Sequence, residues 1–146
     1  MTNMLTQHHH ALVIETSGQG FSEVTRRLQN WLTEIHAGDG LLTVFVRHTS
    51  ASVTIQENAD PDVLADLQQA LHRFAPESSD YRHSSEGPDD MPGHIKSMLT
   101  ATSMSIPVVG GTPVLGTWQG VFLIEHRTGP HRRRLALHYF GETTQN

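Results

Sequence analysis

Four histidines stand where their chemistry could matter. His48 ends a strand-like run, His83 lies in a long connection, His94 begins a short helical stretch, and His126 ends a second strand-like run. Histidines at the ends of separate elements can converge on one point, as the three protein ligands of an open catalytic metal do, with a further position free for water or substrate. The spacing of His83 and His94 fits no local zinc signature of the H-E-x-x-H kind. Each of the four is also readable as a satisfied polar residue at the end of an element. The chain has no cysteine, so any metal must be held by His, Asp, Glu or water. Eleven histidines stand against one lysine, Lys96. Such an excess suits metal binding or acid–base work, and equally a solvated surface. His36, His72, His131 and His138 read as surface or structural.

Asp89 and Asp90 form a carboxylate pair just before the short helix. One of them is accounted for by N-capping and by the helix dipole. The second is free to be a general base or to orient a ligand histidine. Arg47, Arg127 and Lys96 each adjoin one of the four histidines, a cationic rim that suits a phosphorylated substrate. Ser50, Ser52, Thr49 and Thr117 add hydroxyl donors. A Walker loop, a G-x-G-x-x-G and a G-x-S-x-G elbow are all absent, against kinase, dinucleotide and α/β-hydrolase readings. The net charge of −5 gives no basic footprint for nucleic acid. The run Arg132-Arg133-Arg134 reads as a solvated strand end.

The stretch Tyr81–Lys96 organises the chain. It is poor in core-forming residues, and Gly87, Pro88, Pro92 and Gly93 break regular structure through most of it. A long connection of this kind in a compact domain is commonly functional. The other elements are its scaffold. His9–Thr16 reads as a strand. A helix follows, with Ser22 as N-cap, Val24, Leu28, Trp31, Leu32 and Ile35 on one face, and Gly38 at its C-terminal stop. Leu41–His48 is a strand that puts Val44, Val46 and His48 on one face. β character resumes from Ala51 to Gln56. Asp60-Pro61 opens a second helix with an apolar stripe of Val63, Leu64, Leu67, Ala70, Leu71 and Phe74. The short helix spans about Pro92–Thr100, with Ile95, Met98 and Leu99 facing inward. Met104–Val109 is a strand, and Gly110-Gly111 a tight turn. Val121–Arg127 is a strand with Phe122, Ile124 and His126 on one face. The last strand is Arg133–Phe140, with a frayed tail from Glu142. The spacing predicts an α+β domain of mostly antiparallel sheets. One domain over 1–146 is expected, ordered from about 5 to 142. No signal-peptide pattern or ~20-residue apolar run is visible, so a cytoplasmic protein without a membrane partner is expected.

Several motifs resemble the YjbQ-like family, also called secondary thiamine-phosphate synthase. They are His48-Thr49-Ser50-Ala51-Ser52, Gln56-Glu57-Asn58-Ala59-Asp60-Pro61, the run from Glu86 to Ser97, Leu115 to Gly120, and Glu125-His126-Arg127. They cover roughly residues 5–142 in family order; Gly93 stands where the family often has alanine. The resemblance implies a two-sheet β-sandwich with two main helices and one short helix, assembled as a homotrimer. It implies a histidine-rich pocket that can hold a divalent metal such as zinc, or magnesium with a diphosphate substrate. It also implies a weak thiamine-phosphate synthase activity, coupling a pyrimidine diphosphate to a thiazole phosphate with loss of pyrophosphate. On these motifs His83, His94 and His126 are the expected ligands. His48, Asp90 and Glu125 are the expected catalytic groups. Ser50, Ser52, Glu57, Asp89, Lys96, Thr117 and Arg127 are expected against a small phosphorylated metabolite. A non-catalytic metal- or metabolite-binding trimer and a hydrolase are the competing readings. An open coordination position separates an enzyme site from a structural one.

Overall fold

The computed structural model describes residues 4–144. Residues 1–3 and 145–146 of the expected single domain lie outside the described residues. In order, the elements are β1 (Met4–Thr16), β2 (Gly20–Glu23), α1 (Thr25–Glu34), β3 (Ala37–Val46), β4 (Ala51–Glu57), α2 (Pro61–Phe74), α3 (Asp90–Leu99), β5 (Ser103–Val109), β6 (Thr112–Pro113), β7 (Gln119–Glu125) and β8 (His131–Thr143). They form a five-stranded sheet of order β1-β8-β3-β5-β6 and a three-stranded sheet of order β2-β7-β4. Neighbouring strands pair antiparallel throughout. The chain is therefore α+β, as the hairpin-rich order predicts. Among the described residues no helix is long and apolar enough to cross a membrane.

Period-two alternation builds the core. Leu12 and Ile14 of β1, Leu42, Val44 and Val46 of β3, Ile106 and Val108 of β5, and Leu135, Leu137 and Tyr139 of β8 are all buried. Ala51, Val53, Val121 and Leu123 of the smaller sheet and Leu28, Trp31 and Leu32 of α1 join the same cluster. Strand β7 is central in its sheet and is buried continuously from Gly120 to Glu125. The Gly110-Gly111 turn has φ of +59° and +80°, the left-handed pair that a tight hairpin needs.

Several boundaries differ from the periodicity. Ser22 pairs within β2, and α1 starts at Thr25 without a side-chain cap. Gly38 lies in β3; the left-handed residue after α1 is His36, with φ +57°. Strand pairing outcompetes the cap and stop signals because both residues lie beside available strand edges. Glu142 and Thr143, expected to fray, pair in β8 with Leu5 and Met4. Of the arginine run, Arg133 is buried on the core face of β8, and only its neighbours point outward.

The two helices after β4 follow different rules. Asp60 caps α2, its side chain accepting from Asp62 N–H at 2.9 Å. Yet no residue of α2 is fully buried. In α3 the buried residues are Asp90, Pro92, Gly93, Lys96 and Ser97, while Met98 and Leu99 are exposed, opposite to the expectation. The helix packs on strand ends whose groups are polar, so its inward face is polar and small. A β-carbon at Gly93 would meet Ser50 Cβ at 3.4 Å, His126 Cβ at 3.6 Å and Arg127 Cδ at 3.7 Å.

Candidate functional site

Asp90 is the first residue of α3 and His94 lies one turn later, so both side chains share a face. His83 reaches them from the preceding loop. The Asp90 Oδ2 atom lies 2.5 Å from His83 Nε2 and 3.2 Å from His94 Nε2. The two imidazoles meet edge to face at 5.3 Å. One ligand atom from each of the three residues lies within 4.8 Å of the others. The carboxylate is buried and the two imidazoles are partly exposed, so the group opens to solvent on one side.

Arg127 fixes the carboxylates from behind. It donates from Nη1 to Asp90 Oδ1 at 2.9 Å and from Nε to Asp89 Oδ2 at 3.0 Å. Its Nη2 also donates to the Glu86 carbonyl at 2.8 Å. Asp89 further accepts from Thr128 N–H at 2.8 Å. Burial opposes the Asp89 charge, but the Arg127 and Thr128 bonds outweigh it and hold the pKa at about 2. Burial opposes the Asp90 charge too, and the hydrogen bond from His83 leads the groups that lower its pKa. The same bond raises the pKa of His83. Asp89 is thus a partner of Arg127 and does not cap α3 with its side chain.

Glu125, expected to be catalytic, is 0% exposed and saturated. It accepts from Thr16 Oγ1 at 2.6 Å, Arg127 N–H at 3.1 Å and Arg133 Nε at 2.8 Å, with a second short contact to Arg133 Nη2. Burial opposes its charge, and the Arg133 bond leads those that lower its pKa. This pair anchors the strand end below the histidines. Ser50 serves it as well, its Oγ accepting from Arg133 Nη2 at 3.0 Å. The alternation of β8 already places Arg133 in line with Leu135, Leu137 and Tyr139, a signal that the three-charge run obscured.

His126 does not join His83 and His94. Its Nε2 lies 2.8 Å from Ser52 Oγ, and that oxygen accepts from Thr100 Oγ1 at 2.6 Å. Burial, reinforced by the charge of Lys96, holds its pKa at about 3, so the ring is a neutral part of the interior. Asp90 occupies the third place expected of His126. The helix begins at Asp90, two residues before Pro92, and that start makes Asp90 and His94 an i, i+4 pair. His48 accepts from Arg134 N–H at 2.8 Å and belongs to the edge between β3 and β8. Lys96, 1% exposed, puts its Nζ 3.2 Å from His72 Nδ1 on α2. Both cations expected at a phosphate, Lys96 and Arg127, are therefore already engaged. β4 and β7 pair from Ala51↔Glu125 to Glu57↔Gln119, which puts Glu57 about 20 Å along the strand from Ala51. Thr117, in the turn before β7, shares that far end. Glu57 there accepts from Asp60 N–H at 3.1 Å.

With this geometry in place, the likeness to known proteins is informative. The family model described as "UPF0047 protein YjbQ-like" matches residues 10–142. The UPF0047 protein sll1880 from Synechocystis sp. is 53% identical, over 93% of each chain. The UPF0047 protein YjbQ from Escherichia coli O157:H7 is 41% identical, over 90% of this chain and 96% of its own. Among solved structures, the hypothetical protein APE1520 from Aeropyrum pernix K1 superposes with a TM-score of 0.84 at 29% identity, covering 92% of this chain and 99% of that one.

Proposed function

This chain belongs to the UPF0047 YjbQ-like family, and from that premise we propose that it is a metal-dependent enzyme acting on a small phosphorylated metabolite in the cytoplasm. The observation that carries the reading is the convergence of His83, Asp90 and His94 with one side open. Two imidazoles and a carboxylate are a donor set that suits zinc and related divalent ions. The set fits for a second reason. Arg127 holds Asp90 Oδ1, which leaves Oδ2 aimed at both histidines. A divalent ion, zinc or, with a diphosphate substrate, magnesium, would supply stabilisation of negative charge on a departing phosphate.

The chain's own residues divide the remaining work. Asp89 and Arg127 keep the carboxylate of Asp90 in one orientation, and a metal would replace the proton that His83 shares with it. Glu86 lies 3.2 Å from His83 and is largely exposed. It is in reach to take a proton from a substrate or water at the open side. The reaction class we propose is the family's secondary one, joining a pyrimidine diphosphate to a thiazole phosphate with release of pyrophosphate. The two sheets would then be the layers of a sandwich, and three copies would associate to cover exposed sheet edges.

The test uses tag-free protein loaded with zinc and a panel of phosphorylated metabolites that includes the pyrimidine and thiazole pair. Wild-type protein should contain metal, form product and scatter light as a trimer. Asp90→Asn and His94→Ala should lose metal and turnover together. Wild-type product formation by both variants would sink this site. Metal uptake without turnover on the whole panel would favour the binding-only reading, and release of inorganic phosphate or pyrophosphate from a single substrate the hydrolase.

A further inference from the structure

Of the three cations that adjoin a histidine in sequence, Lys96 and Arg127 are engaged and Arg47 is not. Among the described residues no carboxylate lies within 4.0 Å of Arg47 or of Arg134. The two face each other. Val46 pairs with Leu135, so Arg47 and Arg134 fall at the next register position, and Arg47 N–H donates to the Arg134 carbonyl at 3.3 Å. Both are exposed and follow the alternation of the Phe45↔Ala136 pair on the outer face of the five-stranded sheet. Like charges directly opposite on one face repel. Two residues away on β8, Arg132 stands opposite Glu15 of β1 and pairs with it at 3.5 Å, whereas Arg134 stands opposite Val13. The sheet thus supplies a counter-charge at one position of the row and omits it at the next.

His48 adds a third donor beside them. Its Nε2 accepts the Arg134 N–H at 2.8 Å, so the proton of the neutral ring is on Nδ1. Burial, then the charge of Arg133, lowers its pKa; Arg47 and Arg134 act in the same direction and Glu125 opposes them. The ring is therefore neutral at pH 7 and above. Among the described residues its Nδ1–H has no acceptor.

Two open depressions adjoin at Arg47. One, of about 300 Å³, is lined by Arg47, Arg134, His9 and the facing pair Ala11 and Ala136. The other, of about 430 Å³, is lined by Phe45, Arg47, His48, Thr49 and Thr102. No Asp or Glu lines either of them. Phe45, 47% exposed, offers an aromatic face next to the cations. On a chain of net charge −5, this corner gathers two unneutralised guanidiniums, an imidazole N–H and two hydroxyls.

We propose that this corner of the large sheet binds a phosphate monoester that carries a flat ring. Arg47 and Arg134 each present a planar fork of N–H groups to the phosphate oxygens, and His48 Nδ1–H donates to the same group. The ring of the ligand packs on Phe45. Two unneutralised charges match a phosphate dianion; a carboxylate or a sulfate ester brings only one. The site uses none of His83, Asp90 and His94, so it stands whether or not that group holds a metal.

The experiment is calorimetric titration of the whole chain with phenyl phosphate, phenyl sulfate and inorganic phosphate. It is run in EDTA, so that metal at the other site has no bearing, and at a pH about two units above the second phosphate pKa of roughly 6. Phenyl phosphate should bind the wild type more tightly than either of the others. Arg134→Gln and Arg47→Gln should each weaken it about tenfold or more, as loss of a charge-assisted hydrogen bond does. Phe45→Ala should weaken phenyl phosphate and leave inorganic phosphate unchanged. Arg27→Gln, at an exposed arginine of α1, should change nothing. All four positions are exposed, so the variants should fold. Absence of phenyl phosphate binding to the wild type overturns the proposal, as does equal weakening by Arg27→Gln and Arg134→Gln. Phenyl sulfate binding as tightly as phenyl phosphate overturns the assignment to a dianion. An oligomer that dissociates on Arg134→Gln, with no phenyl phosphate binding by the wild type, assigns the two arginines to a second copy of the chain and likewise overturns the site.

Discussion

At Asp90 a single buried carboxylate serves two imidazoles through one oxygen and a guanidinium through the other. Asp90→Asn removes the charge and one acceptor from that junction. Zinc should raise the melting temperature of the wild type and leave the variant unmoved, with affinity down at least tenfold by titration. Glu125 makes the opposite kind of prediction. Its role is to neutralise Arg133 in a site closed to water, so Glu125→Gln leaves a buried charge without its partner. A loss of about 3–5 kcal/mol in urea denaturation is expected. Replacing both members by Leu and Met should cost much less, since no buried charge then remains.

At the scale of elements, α3 is the piece that brings the site together. It brings the buried carboxylate of Asp90 and the half-exposed ring of His94 to His83 while its inward face rests on Ser50, His126 and Arg127. Gly93 is at the closest approach, and the nearest heavy atoms to an added β-carbon stand at ordinary contact distance. Gly93→Ala should therefore fit, and should stabilise the fold by about 0.5–1 kcal/mol through reduced freedom of the unfolded chain. A thermal melt with unchanged zinc response checks this; a fall in stability would mean that the contact is tighter than drawn.

Across the whole molecule the buried His126 sets a pH dependence. Its folded pKa, about 3, lies below the ordinary 6.5 because burial disfavours the charged ring. The unfolded chain then binds the extra proton first, so stability is lost as pH falls from 6.5 toward 3. Asp89, at about 2, contributes above its unfolded value of 3.8 and loses that contribution only in stronger acid. His83, with a raised pKa, works the other way, contributing below 6.5 and losing it as pH rises through its folded value. Between pH 7 and 4.5, His126 should cost the wild type roughly 2–3 kcal/mol. His126→Gln should flatten that limb in denaturation curves taken at the two pH values; parallel losses in both proteins would rule out His126 as the cause.

The periodicities of the chain were sufficient for the α+β class, the apolar face of α1, the Asp60-Pro61 start of α2 and the Gly110-Gly111 turn. These are local or short-range properties, set by side-chain alternation and by backbone preferences that neighbours in sequence share. Residue type also marked His83, Asp90 and His94 as worth attention. The division of labour among the polar residues depended on tertiary structure. His126 and Asp90 are both plausible ligands by type, and only packing turned the first toward Ser52 and the second toward two imidazoles. Arg133 is the sequence neighbour of two exposed arginines and Glu125 ends a buried strand, and only the meeting of the two sheets buried them together. Lys96 became a buried donor because α3 lies with its polar face inward, against the bias of its own apolar residues. Such outcomes follow from which groups long-range contacts desolvate, and desolvation is a property of the assembled fold.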